Sequence, residues 1–364
     1  MGYVAVTGGQ QAIENAEALL RYYRLKGGSR PLEVEQIRDQ MRLAVDKVMG
    51  EGSLYAPTLA ALALKQAEGD SLEASLAIRA FRATQSRRYY AMALDTSEMQ
   101  VIRRISATFQ EVPGGQILGP TRDYTQRLLD FTLLKESDSE LAAVIRELES
   151  RFSEGEMPDR FPKIIDFLRR ENLLAEAPAG NPHIDDITRQ GIIFPCSRSA
   201  KLQSLARAET GSMMALAYSV SRGYGEVHPY IGELRVGYVP VYIDRRELGE
   251  PVYLGRILLT EAEMITSYTG DDKNSQPRFA LGYGLCFGHN EIKAISMGIL
   301  DVSTRSRAMD KTPAEDEEYV LYHTDGIEAS GFVAHWKLPH YVTFQSTLDR
   351  LRAAQSQSKE RGDE

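Results

Sequence analysis

Glu233-Leu234-Arg235-Val236-Gly237-Tyr238-Val239-Pro240-Val241-Tyr242-Ile243, followed by Val252-Tyr253-Leu254-Gly255-Arg256-Ile257-Leu258-Leu259-Thr260, decides the fold class. From Ile192 onward glycine, tyrosine and β-branched residues become more frequent, and these two runs read as strands. Ahead of them the pattern is helical. Ile13, Ala16, Leu19, Leu20 and Tyr23 recur at the helical period after Gln10, and Gly27-Gly28 ends that helix. Ile37, Met41, Ala44, Val45 and Val48 form one stripe over residues 31–49. Pro57 suits the first turn of a third helix, and a fourth is expected over 72–88.

Residues 3–6 read as a short strand, 113–120 as a Pro-Gly loop, 122–134 as a helix, and 135–180 as a polar helical connector ending in Ala-Pro-Ala-Gly-Asn-Pro. Beyond the strands, helices are expected over 289–300 and 341–354, with a polar, fraying tail from 355 to 364. The chain is therefore expected to be of mixed α+β class. A mainly helical region, 1–180, precedes a mixed α/β domain, 181–364. Gly-Tyr-Gly occurs at 223–225 and 282–284, too short a match to mark a duplication.

The bulk properties narrow the function classes. Of 364 residues, 43% are hydrophobic and 26% charged, which supports a packed core. No run of about 18 apolar residues marks a membrane helix. The first residues lack the pattern of a signal peptide, and Val6 stands where a myristoylation motif needs Ser or Thr. Two cysteines, Cys196 and Cys286, form no disulfide framework, so a cytoplasmic setting is expected. The net charge of −8 argues against broad nucleic-acid binding. Local arginines still suit an anionic ligand, since exposed charges act over about 10 Å at roughly 0.1 M salt.

Several groups of residues have chemical potential. His335 and His340 flank Trp336-Lys337-Leu338-Pro339 and can converge on one metal ion, or merely make polar contacts near a helix start. A third ligand would come from His323 or from a distant carboxylate such as Asp46. The 113–120 loop, with Gly114 and Gly115, can turn amide groups toward a phosphate beside Arg103, Arg104 and Arg122, or be an ordinary turn. It lacks the Gly-Lys-Ser/Thr ending of a P-loop. Thr7-Gly8-Gly9 is a second candidate of this kind.

Cys196-Ser197-Arg198-Ser199 opens a helix bearing Lys201 and Arg207; it suits an anion or is a plain serine N-cap. Residues 221–229, with Arg222, and residues 278–284 combine glycine, tyrosine and arginine in a way that fits a base or ribose pocket, a sheet edge or a subunit contact. Glu261 and Glu263 share a face if extended and lie about 200° apart if helical. Paired carboxylates suit acid–base work or are simply solvated.

Taken in order, these segments resemble the I subunit of the bacterial carbon–phosphorus lyase core complex (α-D-ribose 1-methylphosphonate 5-triphosphate synthase subunit I). The resemblance rests on residues 3–6 with Gly8-Gly9, 43–49, 59–67, 103–107, 113–120, 123–125, 128–134, 195–199, 216–219, 222–225, His228-Pro229, Thr260-Glu261, 282–285 and 337–342. Residues 135–180, 303–313 and the tail match poorly. Leu281 and His289 depart from the residue types expected there.

The resemblance implies a reaction in which a phosphonate oxygen displaces adenine from MgATP at ribose C1′, giving α-D-ribose 1-methylphosphonate 5-triphosphate. It also implies purine-nucleotide nucleosidase activity when partners are missing. The implied assembly holds two copies each of this subunit and of the G, H and J subunits, with the iron–sulfur chemistry on J. The carried-over metal site uses His335 and His340, with zinc as the expected ion and Asp46 added as a third ligand. Glu261 and Asp123 are the candidate catalytic carboxylates, and Arg198, Arg222, Gly114 and Gly115 the candidate substrate contacts. Two other readings differ from this one: a scaffold that completes a metal-containing site at the J interface, and a stand-alone zinc hydrolase, for which no HExxH motif exists.

Overall fold

The computed structural model describes residues 9–151, 160–175, 184–224, 229–245, 249–269, 276–305 and 310–362. The chain divides into two compact units, one spanning Leu32–Thr324 and the other combining Met1–Pro31 with Asp325–Glu364. The class is mixed α+β. The expected strand at 3–6, the Thr7-Gly8 turn, the boundary at 180 and the Gly225–His228 part of the glycine-tyrosine loop lie outside the described residues.

In the larger unit, helices α2 (Val34–Gln40), α3 (Arg42–Gly52), α4 (Pro57–Gln66) and α5 (Ser71–Thr84) pack around Ile37, Val48, Met49, Leu64 and Ile78. Burying each such side chain stabilises the fold by roughly 1.5–3 kcal/mol. Their starts follow local chemistry. Pro57 opens α4, and the Asp70 carboxylate accepts from the Leu72 and Glu73 amides at 2.9 and 3.1 Å to start α5. The single helix expected over 31–49 is two. Met41 adopts φ −111°, ψ 39°, which ends α2 and restarts the chain as α3.

Four strands form one antiparallel sheet in sequence order: β1 (Gln100–Ile105), β2 (Tyr230–Ile243), β3 (Val252–Thr269) and β4 (Arg278–Phe287). The two strands expected from sequence are longer than expected, and β1 and β4 join them. On one face lie α8 (Arg198–Arg207), α9 (Thr210–Ser219) and α10 (Glu291–Ser303), packed on Met213, Leu234, Met264 and Met297. The alternating burial of β4 explains the fit. Ala280, Gly282, Gly284 and Cys286 face α10, and a Cβ on Gly282 or Gly284 would overlap the carbonyls of Gly298 or Ala294.

The helix expected over 122–134 is absent; the segment is irregular and ends in a 3₁₀ turn at Phe131–Leu134, capped by Asp130. A helix needs a surface on which to bury its apolar face. Here Leu128, Leu129 and Leu134 are 78%, 83% and 77% exposed. Helices α6 (Asp138–Arg151), α7 (Ile165–Arg170) and α11 (Glu317–His323) complete this unit.

The smaller unit contains α1 (Gln10–Leu25), α12 (Gly326–His335) and α13 (Tyr341–Gly362). The tail expected to fray from 355 continues α13 as far as Gly362.

Candidate functional site

The sheet face opposite α10 holds a buried layer of charge. Register places Glu233 opposite Glu263, Arg235 opposite Glu261, and Tyr283 opposite Glu263. Cross-strand partners point to the same side of a sheet, so these side chains converge. Glu261 and Glu263 are therefore extended and share a face. Glu261 accepts five hydrogen bonds. Its Oε1 receives the Thr96 hydroxyl at 2.6 Å, the Tyr283 hydroxyl at 2.9 Å and the Lys163 ammonium at 3.0 Å. Its Oε2 receives two from Arg235, one of them from Nε at 3.1 Å. Lys163 also donates to Glu263 Oε1 at 2.9 Å, and the second Glu263 oxygen is buried without a partner among the described residues.

The two carboxyls are driven apart in acidity. Burial favours the neutral acid in both. At Glu261 the Arg235 and Lys163 charges outweigh burial and lower the pKa to about 2. At Glu263 burial and then the Glu261 charge raise it to about 7. Glu261 is thus a fixed negative charge, and Glu263 can hold or release a proton near neutrality. Tyr283 is shifted upward, first by burial and then by Glu261, so it stays a hydrogen-bond donor.

Arg104, on the same face, fixes two loops. It donates to Glu233 at 2.6 Å, to the carbonyls of Pro113 and Gly115 at 2.8 and 2.9 Å, and to Pro162 at 2.8 Å. Gly114 and Gly115 have φ of 83° and 78°, and the Gly115 amide bonds the Val112 carbonyl at 2.8 Å. The 113–115 turn therefore points carbonyls inward to a guanidinium.

Arg103 points to the α10 side. It pairs with Asp123, and its Nε lies 2.6 Å from Glu291. Glu291 also accepts from His289 at 2.7 Å, and Arg42 lies 3.1 Å from the other ring nitrogen of His289. A guanidinium only donates, so His289 Nδ1 accepts and Nε2 carries the proton. Burial pushes the Glu291 pKa up, but the His289 hydrogen bond and the Arg103 charge outweigh it and hold the group below its usual range.

Asp46 belongs to this neighbourhood: its Oδ2 accepts from the His289 amide at 2.9 Å, and its pKa is raised by burial. A Cβ on Gly288, whose φ is 72°, would overlap the Asp46 side chain.

Arg198 sits at the start of α8, bound to Asp301 by bonds of 3.1 and 2.6 Å; Asp301 also accepts from the Tyr283 amide at 3.0 Å. Ser197 caps α8 by accepting from the Ala200 amide at 3.1 Å. The thiols of Cys196 and Cys286 are pushed up to about 12, chiefly by burial, which leaves them poor nucleophiles at neutral pH. Arg222 follows α9 with its guanidinium 5.9 Å from the Tyr218 ring centre.

In the smaller unit, the His335 and His340 ring centres are 5.4 Å apart. Nδ1 of His335 faces the Phe332 carbonyl, and Nδ1 of His340 faces the Leu338 carbonyl at 2.6 Å. Both rings then carry Nδ1–H and present Nε2 as the lone-pair donor, the tautomer a metal ligand needs. Two imidazoles on one tetrahedral zinc place their ring centres roughly 5 Å apart, given Zn–N near 2 Å. The pair therefore fits zinc. Among the described residues, no three His, Cys, Asp or Glu side chains are grouped to hold a metal. His323 stacks on Tyr319 and bonds its carbonyl at 2.7 Å.

Sequence reasoning singled out Glu261 and Glu263, and Tyr283 only as part of the 278–284 group, but missed Lys163, Arg235, Glu233 and Asp301. A signal was present for two of them: Glu233 and Arg235 alternate with apolar neighbours in a strand, which is costly unless they are paired.

The comparisons with known proteins agree with the resemblance. Residues 2–358 match the family model described as bacterial phosphonate metabolism protein (PhnI), and the chain belongs to that family. It is 45% identical over 359 residues to the α-D-ribose 1-methylphosphonate 5-triphosphate synthase subunit PhnI of Escherichia coli strain K12, covering 98% of this chain and 99% of that protein. The subunit of the same name from Rhizobium meliloti strain 1021 is 44% identical over 358 residues, covering 96% and 94%. A Stutzerimonas stutzeri protein named provisionally as the C-P lyase subunit protein HtxH is 49% identical over 362 residues, covering 98% and 97%.

Proposed function

We propose that the chain is a cytoplasmic subunit of a carbon–phosphorus lyase assembly and takes part in forming α-D-ribose 1-methylphosphonate 5-triphosphate from MgATP and methylphosphonate. The observation that carries this reading is the 45% identity, over nearly the full length of both chains, to a relative named as a subunit of that synthase. A phosphonate oxygen forms the new bond to ribose C1′ while the C1′–N9 bond breaks; its electron pair leaves with adenine, which takes up a proton. Without partners, water replaces the phosphonate and the chain acts as a purine nucleosidase.

In this reading Arg198 and Arg222 bind the anionic groups of the substrates, and the Gly114–Gly115 turn is a further candidate contact. Asp123, 41% exposed at its side chain, lends negative charge to the cation-like ribose. Glu261 works from within, holding the Lys163 ammonium and the Tyr283 hydroxyl in place. His335 and His340 would hold zinc, with a partner's residue as the next ligand. When bound, zinc supplies a Lewis acid.

The bare apolar segment 124–134 favours a second role, docking: Tyr124, Leu129 and Phe131 are 85%, 83% and 71% exposed. Partner subunits G, H and J, two copies each, are the proposed cover. The scaffold reading keeps this docking and moves the chemistry to the partners.

The test is to incubate the purified chain with MgATP, alone and with its partners, and to measure free adenine by chromatography. Adenine from the chain alone, lost in Glu261→Gln, supports ribosyl chemistry here. Adenine only with partners present, at equal rates in wild type and Glu261→Gln, moves the chemistry to them and leaves the scaffold. No adenine from the full assembly rejects the reaction.

A further inference from the structure

β4 is an edge of the sheet, so one of its sides has no strand partner. Its odd-numbered residues turn their backbone groups to that side, where other parts of the chain dress them. Phe279 donates to Leu173 at 2.8 Å and accepts from Ala175 at 2.9 Å. The Leu281 carbonyl accepts from Arg305 at 2.6 Å, and the Tyr283 amide donates to Asp301 at 3.0 Å. Pairing with β3 runs without a shift from Ala280 to Phe287, so Leu285 turns outward as well. Its amide and carbonyl find no such partner among the described residues. An undressed step on a dressed edge is open to pairing with the main chain of another molecule.

A cavity of about 260 Å³ opens beside that step. Leu285 and Phe287 of β4, with Leu94 and Ile187, give it an apolar wall, and Arg82 and Gln203 bring polar groups. Arg82 is half-buried, yet its guanidinium makes a single hydrogen bond, 3.5 Å to the Ser53 carbonyl. No carboxylate lies within ion-pair distance of it among the described residues. Asp186, whose charge acts on Arg82, is already 2.5 Å from Arg87 and bonded to Thr188. A free strand step recognises a peptide amide, the apolar wall a side chain, and the guanidinium a carboxylate. The C-terminal residue of an extended chain carries all three.

We propose that this cavity takes the C-terminal residue of a partner polypeptide, with its carboxylate on Arg82, its apolar side chain against Ile187 and Phe287, and its amide N–H donated to the Leu285 carbonyl. Charge selects this occupant. A free carboxyl end answers the guanidinium, whereas an internal loop or an amidated end leaves a half-buried cation without its counter-charge. The site is separate from the charged layer around Glu261 and takes no part in the proposed ribosyl reaction.

Fluorescence polarisation of the purified full-length chain tests this. The probe is a pentapeptide labelled at its N-terminus, four alanines followed by leucine with a free carboxyl end. It is expected to saturate one site per chain. Amidating the end, replacing the leucine by glutamate, or methylating the leucine nitrogen should each weaken binding by about ten-fold or more. Unlabelled pentapeptide should displace the probe at lower concentration than N-acetyl-leucine does. Arg82→Gln should erase the preference for the free carboxyl end over the amide, a readout that a merely structural role would not move. Ala206→Leu, which adds bulk to the cavity wall, should weaken all the peptides together. Thermal melting checks that both variants fold; the peptide series on the wild type decides even if neither does. Equal binding of the free and amidated ends, indifference to the N-methyl group, or no saturable binding would each overturn the proposal. N-acetyl-leucine competing as well as the pentapeptide would also overturn it, in favour of a small-molecule acid.

Discussion

Arg104 Nε donates to Glu233 Oε1 at 2.6 Å, and both side chains are sealed from solvent. The pair joins β1 to β2 in a region where neither charge has water to turn to. Removing one partner of a buried pair typically costs about 3–5 kcal/mol, because the other charge is stranded. Arg104→Met is therefore expected to destabilise by about that amount in urea unfolding. Glu233→Gln added to it should recover part of the loss. A single variant within about 1 kcal/mol of wild type would sink the argument.

The acidic pair on β3 gives stability opposite pH dependences. Glu263 rises from 4.5 to about 7 on folding, so the stability tied to it falls as pH rises through that window. Glu261 falls from 4.5 to about 2, so its contribution is present above 4.5 and is lost as pH drops toward 2. Glu263→Gln should therefore raise Tm relative to wild type more at about pH 8 than at about pH 5. Melting curves across that range check the sign; an equal difference at both ends removes Glu263 from the account.

Zinc binding by the histidine pair predicts that His335→Ala and His340→Ala each weaken metal retention by about 10–100-fold or more. Competition with a chromogenic chelator measures it on the purified chain. Equal zinc affinity in wild type and both variants would place any bound zinc elsewhere.

Docking through the apolar segment predicts a split between stability and assembly. Leu128→Asp combined with Leu129→Asp should leave the Tm of the isolated chain unchanged, because both side chains already face solvent. Co-purification of partner subunits should drop sharply. Normal assembly in the double variant would show that another surface does the docking.

Close packing of α10 on β4 predicts that Gly282→Ala is costly although its chemistry is mild. The added methyl meets the Gly298 backbone, which has no rotamer by which to yield. A loss of about 1–3 kcal/mol is expected in denaturant unfolding. Wild-type stability would show that the helix can lift without penalty.

Much of this architecture was legible in the order of residues. Tyr, Val and Ile in β2 and β3 announce strands, and the two-residue step between Glu261 and Glu263 places them together once the segment is extended. The His335–His340 spacing likewise allows the observed approach of the rings. The missed contacts share a cause. Lys163, Arg235 and Tyr283 reach Glu261 only through cross-strand register and a returning loop, which local patterns do not encode. β1 was hidden because Arg103-Arg104 reads as an anion-binding pair beside the 113–120 loop; in the sheet each arginine takes its own face and finds its own carboxylates. The absent helix over 122–134 shows the converse: an apolar run reads as helical, but among the described residues no surface buries it.

The glycine-lined seat of α10 has one more consequence. Pressed against β4 at Gly282 and Gly284, the helix is seated too closely to slip by a fraction of a turn. Its first residue, Glu291, meets Arg103, and Asp301 near its far end meets Arg198. At a rise of 1.5 Å per residue the two acids are about 15 Å apart. The helix thus works as a ruler, setting the spacing between the arginine on the first strand and the arginine that opens α8. Lengthening or shortening it by one residue would put at least one end out of register, so length changes within the family should be tolerated in the loops and avoided here.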